Sequence, residues 1–107
     1  MKLGIILQTN KIESVYNTFR LGLTAMKAGH QVEIFLMNEG SEIDTISDST
    51  DFDISVKVLE FQKLNGQIYA CGSCLKIRGK EKIEIAPTST MNDLLKMIEQ
   101  SDKVLVF

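Results

Sequence analysis

The order of apolar segments in the first third of the chain constrains its fold more than any other feature. Residues 2–8, KLGIILQ, form a continuous apolar run typical of a strand that is covered on both faces. A helical pattern follows, with Ser14 as its expected N-cap, and it ends at Gly29. The apolar face of this helix is expected to consist of Val15, Phe19, Gly22, Leu23 and Met26. Residues 31–37, QVEIFLM, predict a second strand, so the segment forms a βαβ unit whose two strands should be parallel.

The middle of the chain continues this alternation. Residues 38–53 are acidic and polar and predict a long loop with at most one short helical turn. A helix is expected over 54–64, where Asn65 and Gly66 end it. A third strand over 67–70 then runs directly into Cys71, and a short helix over 73–78 stops at Gly79.

The last quarter of the chain predicts further elements of both kinds. Residues 82–86, KIEIA, indicate a brief strand, and residues 103–107, KVLVF, indicate the final one. Thr90 and Asp93 resemble a capping box at the start of a helix. The apolar face of that helix is expected to be Met91, Leu94, Leu95 and Ile98. The pattern predicts one domain over residues 1–107, a three-layer α/β/α sandwich with a mostly parallel sheet of about five strands.

Composition excludes several classes of function. The formal net charge of −2 argues against nucleic-acid binding, which usually requires a strongly basic surface. No apolar run approaches the ~20 residues that a membrane span needs, and the first residues resemble a strand rather than a signal peptide. There is no glycine-rich nucleotide motif. We therefore expect a cytoplasmic protein with no membrane or nucleic-acid partner and no cofactor.

Both cysteines of the chain, Cys71 and Cys74, lie at the predicted end of the third strand. Sites in open parallel sheets gather at the carboxyl ends of strands, and closely spaced cysteines in a reducing compartment are more often chemical or metal-binding than structural disulfides. A zinc site needs four ligands, whereas the only histidine, His30, stands alone, so we expect no metal. A thioredoxin-type redox pair and two buried structural thiols both remain open.

The residues after the cysteines indicate an environment for an anionic sulfur. Cys71, Cys74 and Arg78 would share one face of a helix. A sulfur at a helix start also feels the positive end of the backbone dipole, which lowers its pKa. We therefore expect the sulfur of Cys71 to be held by backbone N–H groups of Gly72 and Ser73. The cationic side chain expected to assist is Arg78 or Lys76, within a basic run that continues to Lys80 and Lys82.

The segment IYACGSCLKIRG, residues 68–79, resembles the cysteine loop of the DsrE/DsrF/YchN-like sulfur-relay family. It shares with that family a strand, a cysteine at its end, a short helix and then Arg78-Gly79. Further segments are similar to the family's second strand, its last helix and its carboxyl-terminal strand: VEIFLMNEG, KIEIAPTSTMNDLLKMIEQ and SDKVLVF. The double cysteine is closest to the YchN-like branch.

This resemblance implies a small α/β sandwich that assembles into homo-oligomers, either trimers or hexamers. It also implies that Cys71 accepts sulfane sulfur as a persulfide from a donor protein and hands it to an acceptor protein. Arg78 and Gly79 match the family's arginine and glycine, whereas Cys74 has no counterpart in family members with one cysteine. Cys74 could resolve a Cys71 persulfide or simply pack.

Two alternatives from other classes stay open. A dithiol redox protein would cycle a Cys71–Cys74 disulfide, and a non-catalytic oligomeric binding protein would need neither cysteine. The family likeness also indicates that apolar residues in and beside the acidic loop are buried between subunits. These residues are Met37, Ile43, Ile46 and Phe52.

Overall fold

The computed structural model describes residues 1–107 as one parallel sheet with helices on both faces. The strands are β1 Lys2–Leu7, β2 Gln31–Leu36, β3 Gln67–Cys71, β4 Thr88–Ser89 and β5 Lys103–Val106. The helices are α1 Ile12–Lys27, α2 Ile54–Lys63, α3 Gly72–Ile77 and α4 Met91–Gln100, with a 3₁₀ helix at Asn38–Thr45. None of these helices is both long enough and apolar enough to cross a bilayer.

The strand order is β4-β3-β2-β1-β5, and every neighbouring pair is parallel. This confirms the predicted fold class and the parallel pairing of the first two strands. Because all strands run the same way, the residues that follow β1, β2 and β3 meet at one edge of the sheet. Cys71 is the last residue of β3 and therefore lies at that edge.

One face of the sheet is covered mainly by α1 and α2. Alternate residues of the central strands, such as Ile5, Ile34 and Ala70, point into a large apolar core, where Phe19 and Phe61 meet edge to face at 5.6 Å. The core side of α1 holds Val15, Phe19 and Leu23, as predicted. Left-handed Gly29 (φ +94°) and Asn65 (φ +69°) follow α1 and α2, where the sequence predicted that these helices end.

The opposite face of the sheet carries α4, which crosses β1 at Gly4. A β-carbon on Gly4 would lie 2.7 Å from the Ser101 hydroxyl, so the glycine allows the helix to approach the strand closely. A second apolar cluster forms here from Phe35, Cys71, Leu94 and Met97.

The predicted apolar face of α4 is only partly correct. The capping box of Thr90 and Asp93 is present, and Leu94 is buried as expected. However, Met97 is the second buried residue, whereas Met91, Leu95 and Ile98 are 56%, 55% and 40% exposed. The helix turns one side to the sheet and a second apolar side outward.

Two local predictions are wrong. Ser14 is not the N-cap of α1: the helix begins at Ile12, and the hydroxyl of Thr9 accepts the N–H of Lys11 ahead of it. Residues 82–86 form no strand, because Ile83 and Ala86 make only an isolated bridge while both side chains pack into the core. The neighbouring strand β4 begins after Pro87 instead.

The acidic loop holds more structure than predicted, and its apolar residues cover the protein's own core. Ile43 is 3% exposed within that core, and Ile46 packs against it. Phe52 meets Tyr16 edge to face at 5.3 Å, and Met37 packs against the cluster beneath α4. The expectation that these side chains are buried between subunits is therefore wrong for Ile43.

Candidate functional site

Cys71 joins β3 to α3 and caps the helix with its own sulfur. Its backbone is extended (φ −61°, ψ 116°), and its Sγ accepts the backbone N–H of Cys74 at 3.4 Å. The side chain is 4% exposed and packs with Phe35, Leu94 and Met97. The predicted position at a strand end and helix start is confirmed, with α3 starting one residue earlier than expected.

Burial changes the expected acidity of this thiol. Removal from water raises the pKa of Cys71 above its ordinary 9.0, and hydrogen bonding and charge from the Cys74 sulfur raise it further. The N–H groups of Cys74 and Ser73 lower the pKa, but by less. The expectation of a lowered pKa is therefore wrong, because a short helix start does not offset the apolar cover.

Cys74 lies one turn into α3, is half-buried, and meets a different partner. Its Sγ accepts the backbone N–H of Asn38 at 3.2 Å. Asn38 follows β2 and adopts a left-handed conformation (φ +52°), which asparagine tolerates better than most residues. Its side-chain amide donates to the side-chain Oε1 of Gln8 at 2.8 Å, so residues that follow β1 and β2 both hold this turn beside Cys74.

Arg78 joins α3 to the 3₁₀ helix. Its Nε lies 2.6 Å from Glu42 Oε2, and its Nη1 donates to the Cys74 carbonyl at 3.1 Å. Hydrogen bonding from the Arg78 guanidinium lowers the pKa of Glu42, and Asn10 donates to the same carboxylate at 3.2 Å. Arg78 is on the predicted face of α3, but its partner is a carboxylate.

The remaining predicted binding residues are divided between two surfaces. Ser73 directs its N–H at Cys71, whereas Lys76 is exposed and makes no ion pair. Gly79 is left-handed (φ +71°) and ends α3. Gly72, Lys76 and Gly79 line a shallow groove of about 460 Å³ that neither cysteine lines. Lys80 pairs with Asp44 at 3.0 Å, so much of the basic run faces the acidic loop.

Sequence reasoning missed four polar residues around the cysteines: Gln8, Asn10, Asn38 and Glu42. A signal for three of them was present, since Gln8 and Asn10 come at and after the end of the first predicted strand and Asn38 directly follows the second. The carboxyl ends of parallel strands meet, so these residues should approach Cys71-Gly-Ser-Cys74. His30 lies at the other end of the sheet, before β2, beside the Met1 amino group at 2.9 Å. No group of three or more His, Cys, Asp or Glu side chains comes together as a metal-ligand set.

Several solved structures have the same fold as this chain. The chain superimposes on the ychN protein from E. coli with a TM-score of 0.83, covering 100% of both chains at 20% identity. A protein of unknown function from Bacteroides thetaiotaomicron gives 0.78 at 20% identity, covering 99% of this chain and 94% of that one. One from Methanobacterium thermoautotrophicum gives 0.75 at 13% identity, covering 97% of each. At these identities the likeness establishes the fold.

Two sequence relatives are more similar to this chain than these solved structures are. The chain is 32% identical over 100 residues to an uncharacterized protein of Methanopyrus kandleri, covering 89% of this chain and 83% of that one. It is 32% identical over 102 residues to an uncharacterized protein of Methanocaldococcus jannaschii, covering 89% and 88%.

The parallel five-stranded sheet with helices on both faces gives the chain the α/β fold of the ychN protein. The DsrE/DsrF-like family model matches residues 1–107, and the chain belongs to that family.

Proposed function

We propose that this protein accepts sulfane sulfur as a persulfide and passes it to a second protein, with Cys71 as the carrying residue. The observation that supports this most directly is the position of Cys71 at the carboxyl end of β3, where the N–H groups of Ser73 and Cys74 act on its sulfur. Membership of a family associated with sulfur relay supports the same reading. Two free thiols suit a reducing compartment such as the cytoplasm.

The reaction is two successive thiol exchanges. A cysteine thiolate attacks the outer sulfur of a donor persulfide, a new S–S bond forms, and the donor leaves as a thiolate. The acceptor's thiolate then attacks the same outer sulfur and regenerates the cysteine. No electrons are gained or lost overall.

The surrounding residues have different parts in this proposal. The backbone N–H groups at Ser73 and Cys74 hold the carried sulfur. Arg78 positions α3 against the 3₁₀ helix through Glu42, and Gly79 ends α3 so that the chain can turn. Gly72 allows β4 to approach, since a β-carbon there would lie 3.1 Å from the Thr88 methyl group. Exposed Lys76 is available to an acidic partner surface.

A dithiol redox function is the second candidate, because both cysteines lie in one helical turn with the Cys74 N–H on the Cys71 sulfur. Intact mass spectrometry after anaerobic incubation with glutathione persulfide separates the two functions. A gain of one sulfur by the wild type, absent from the Cys71→Ser/Cys74→Ser double variant, supports the relay. Loss of two hydrogens with no added sulfur supports the redox pair, and no change in mass contradicts both.

We also propose that the protein forms a homo-oligomer, either a trimer or a hexamer. The support is the outward side of α4 together with the exposed end of the chain on β5. If neither cysteine takes up sulfur or forms a disulfide, this assembly would instead serve a non-catalytic binding function.

A further inference from the structure

The two cysteines differ in how a donor can reach them. Cys71 is 4% exposed beneath α4, with Leu94 and Met97 over it. Cys74 is half-buried and lies farther along α3, next to the turn that follows β2. Exchange requires in-line approach of a second sulfur, so a donor meets Cys74 with less displacement of the protein.

The groups around the two sulfurs also differ. The N–H of Asn38 points at Cys74, and it comes from a turn that Gln8 holds in place. The guanidinium of Arg78 also lies next to Cys74, since its Nη1 donates to the Cys74 carbonyl oxygen at 3.1 Å. Cys71 instead packs among the apolar side chains of Phe35, Leu94 and Met97, and burial there raises the pKa of its thiol.

We propose that Cys74 is the first acceptor of sulfane sulfur and that Cys71 receives the sulfur from it. This inference rests on the proposed relay function and assigns its first step. Cys74 is the more exposed of the two residues and accepts an N–H from outside α3, that of Asn38, whereas Cys71 is 4% exposed.

Both steps balance without an added oxidant. The Cys74 thiolate attacks the outer sulfur of the donor persulfide, and the donor leaves as a thiolate. The Cys71 sulfur then attacks that outer sulfur, its proton passes to the departing Cys74 thiolate, and a persulfide remains on Cys71. The residues are three apart across one helical turn, and the Cys74 N–H already contacts the Cys71 sulfur at 3.4 Å.

The test is a quenched time course of loading with glutathione persulfide, in which fragment-ion mapping locates the added sulfur. In the wild type we expect the sulfur on Cys74 first and on Cys71 later. Cys71→Ala should acquire sulfur on Cys74 and pass none to the buried position, whereas Cys74→Ala should load about tenfold more slowly, because its remaining thiol is buried. Cys71→Ser repeats the first variant with a different side chain in the buried position.

A variant that keeps both cysteines tests the contact between Asn38 and the Cys74 sulfur independently. Gln8→Leu removes the partner of Asn38 and should slow loading about fivefold, the effect of one ordinary hydrogen bond. Gln67→Leu is the control, because Gln67 is a glutamine at the other end of the sheet.

Two results would overturn the assignment of Cys74: loading of Cys74→Ala at the wild-type rate, or first appearance of the sulfur on Cys71. A wild type that takes up no sulfur would instead overturn the relay function itself.

Discussion

The pKa of Cys71 is changed in opposite directions by α3, which follows the residue, and by α4, which covers it. The N–H groups of α3 favour a thiolate, but the apolar cover from Leu94 and Met97 favours the neutral thiol and prevails. The local segment therefore predicted the wrong direction for the pKa. The cover comes from α4, some twenty residues later in the chain, and no pattern within residues 66–82 contains it.

Removing part of the apolar cover over Cys71 should lower the pKa of its thiol. In a Cys74→Ala background, Leu94→Ala exposes the thiol to water, so its iodoacetamide labelling should rise at lower pH than in the parent. Leu95→Ala is the control, since Leu95 is the next residue and is 55% exposed. Leu94→Ala should also lower the free energy of unfolding by about 2–3 kcal/mol. An unchanged labelling profile for Leu94→Ala would contradict the burial argument.

At the scale of elements, the 3₁₀ helix and α3 are held together beside the cysteines. Arg78–Glu42 and Lys80–Asp44 join them, and the 3₁₀ helix packs onto the end of β1 at Gly40. The acidic and basic runs were visible in the sequence, but their pairing depends on three strands ending at one edge. The helix ends at Gly29 and Asn65 depend on local residues and could be predicted, whereas this contact between distant segments could not.

Gly40 is the residue that permits this packing. A β-carbon there would overlap the Leu7 carbonyl oxygen, so Gly40→Ala must shift the 3₁₀ helix and should cost roughly 2–4 kcal/mol of unfolding free energy. Gly29→Ala is the control: its φ is +94° with open space around it, and it should cost about 1 kcal/mol. Denaturant unfolding measures both, and equal costs would argue against tight packing at Gly40.

The Glu42–Arg78 pair should make stability depend on pH in one direction. Because the pKa of Glu42 is lowered from its ordinary 4.5, the folded state favours the carboxylate. Its contribution is therefore complete above pH 4.5 and is lost as the pH falls through the lowered pKa. Glu42→Gln should be less stable than wild type at pH 7, with the difference shrinking in acid. Exposed Glu84→Gln should show no such trend, and a difference that grew in acid would contradict the pairing.

At the scale of the whole molecule, the two faces of the sheet differ. One is covered by a large apolar core, and the other is covered by α4, whose outer side is itself apolar. The strand-helix alternation predicted a mostly parallel sheet with helices on both faces. It did not predict which side of α4 faces inward, because Leu94, Leu95 and Ile98 are equally apolar in sequence. In the structure, Met97 and Ser101 approach Gly4 of β1 closely, and Leu94 and Met97 are the buried residues of the helix.

Assembly should depend on the outward side of α4. Leu95→Lys introduces a charge there and should reduce the molar mass measured by size exclusion with light scattering. Leu59→Lys is the matched control, since both leucines are 55% exposed but Leu59 lies on α2. A wild-type protein that elutes as a monomer, or an assembly disrupted only by Leu59→Lys, would contradict this surface.

The central claim is that the protein carries sulfur from one partner to another, and a pulse-chase transfer tests it most directly. The wild type is loaded with glutathione persulfide containing labelled sulfur, freed of donor, and mixed with a reduced thiol protein as acceptor. We expect the label to leave this protein and appear on the acceptor as a persulfide, with none delivered by the Cys71→Ser/Cys74→Ser variant. Release of the label as free sulfide, with Cys71 and Cys74 left as a disulfide, would contradict the relay.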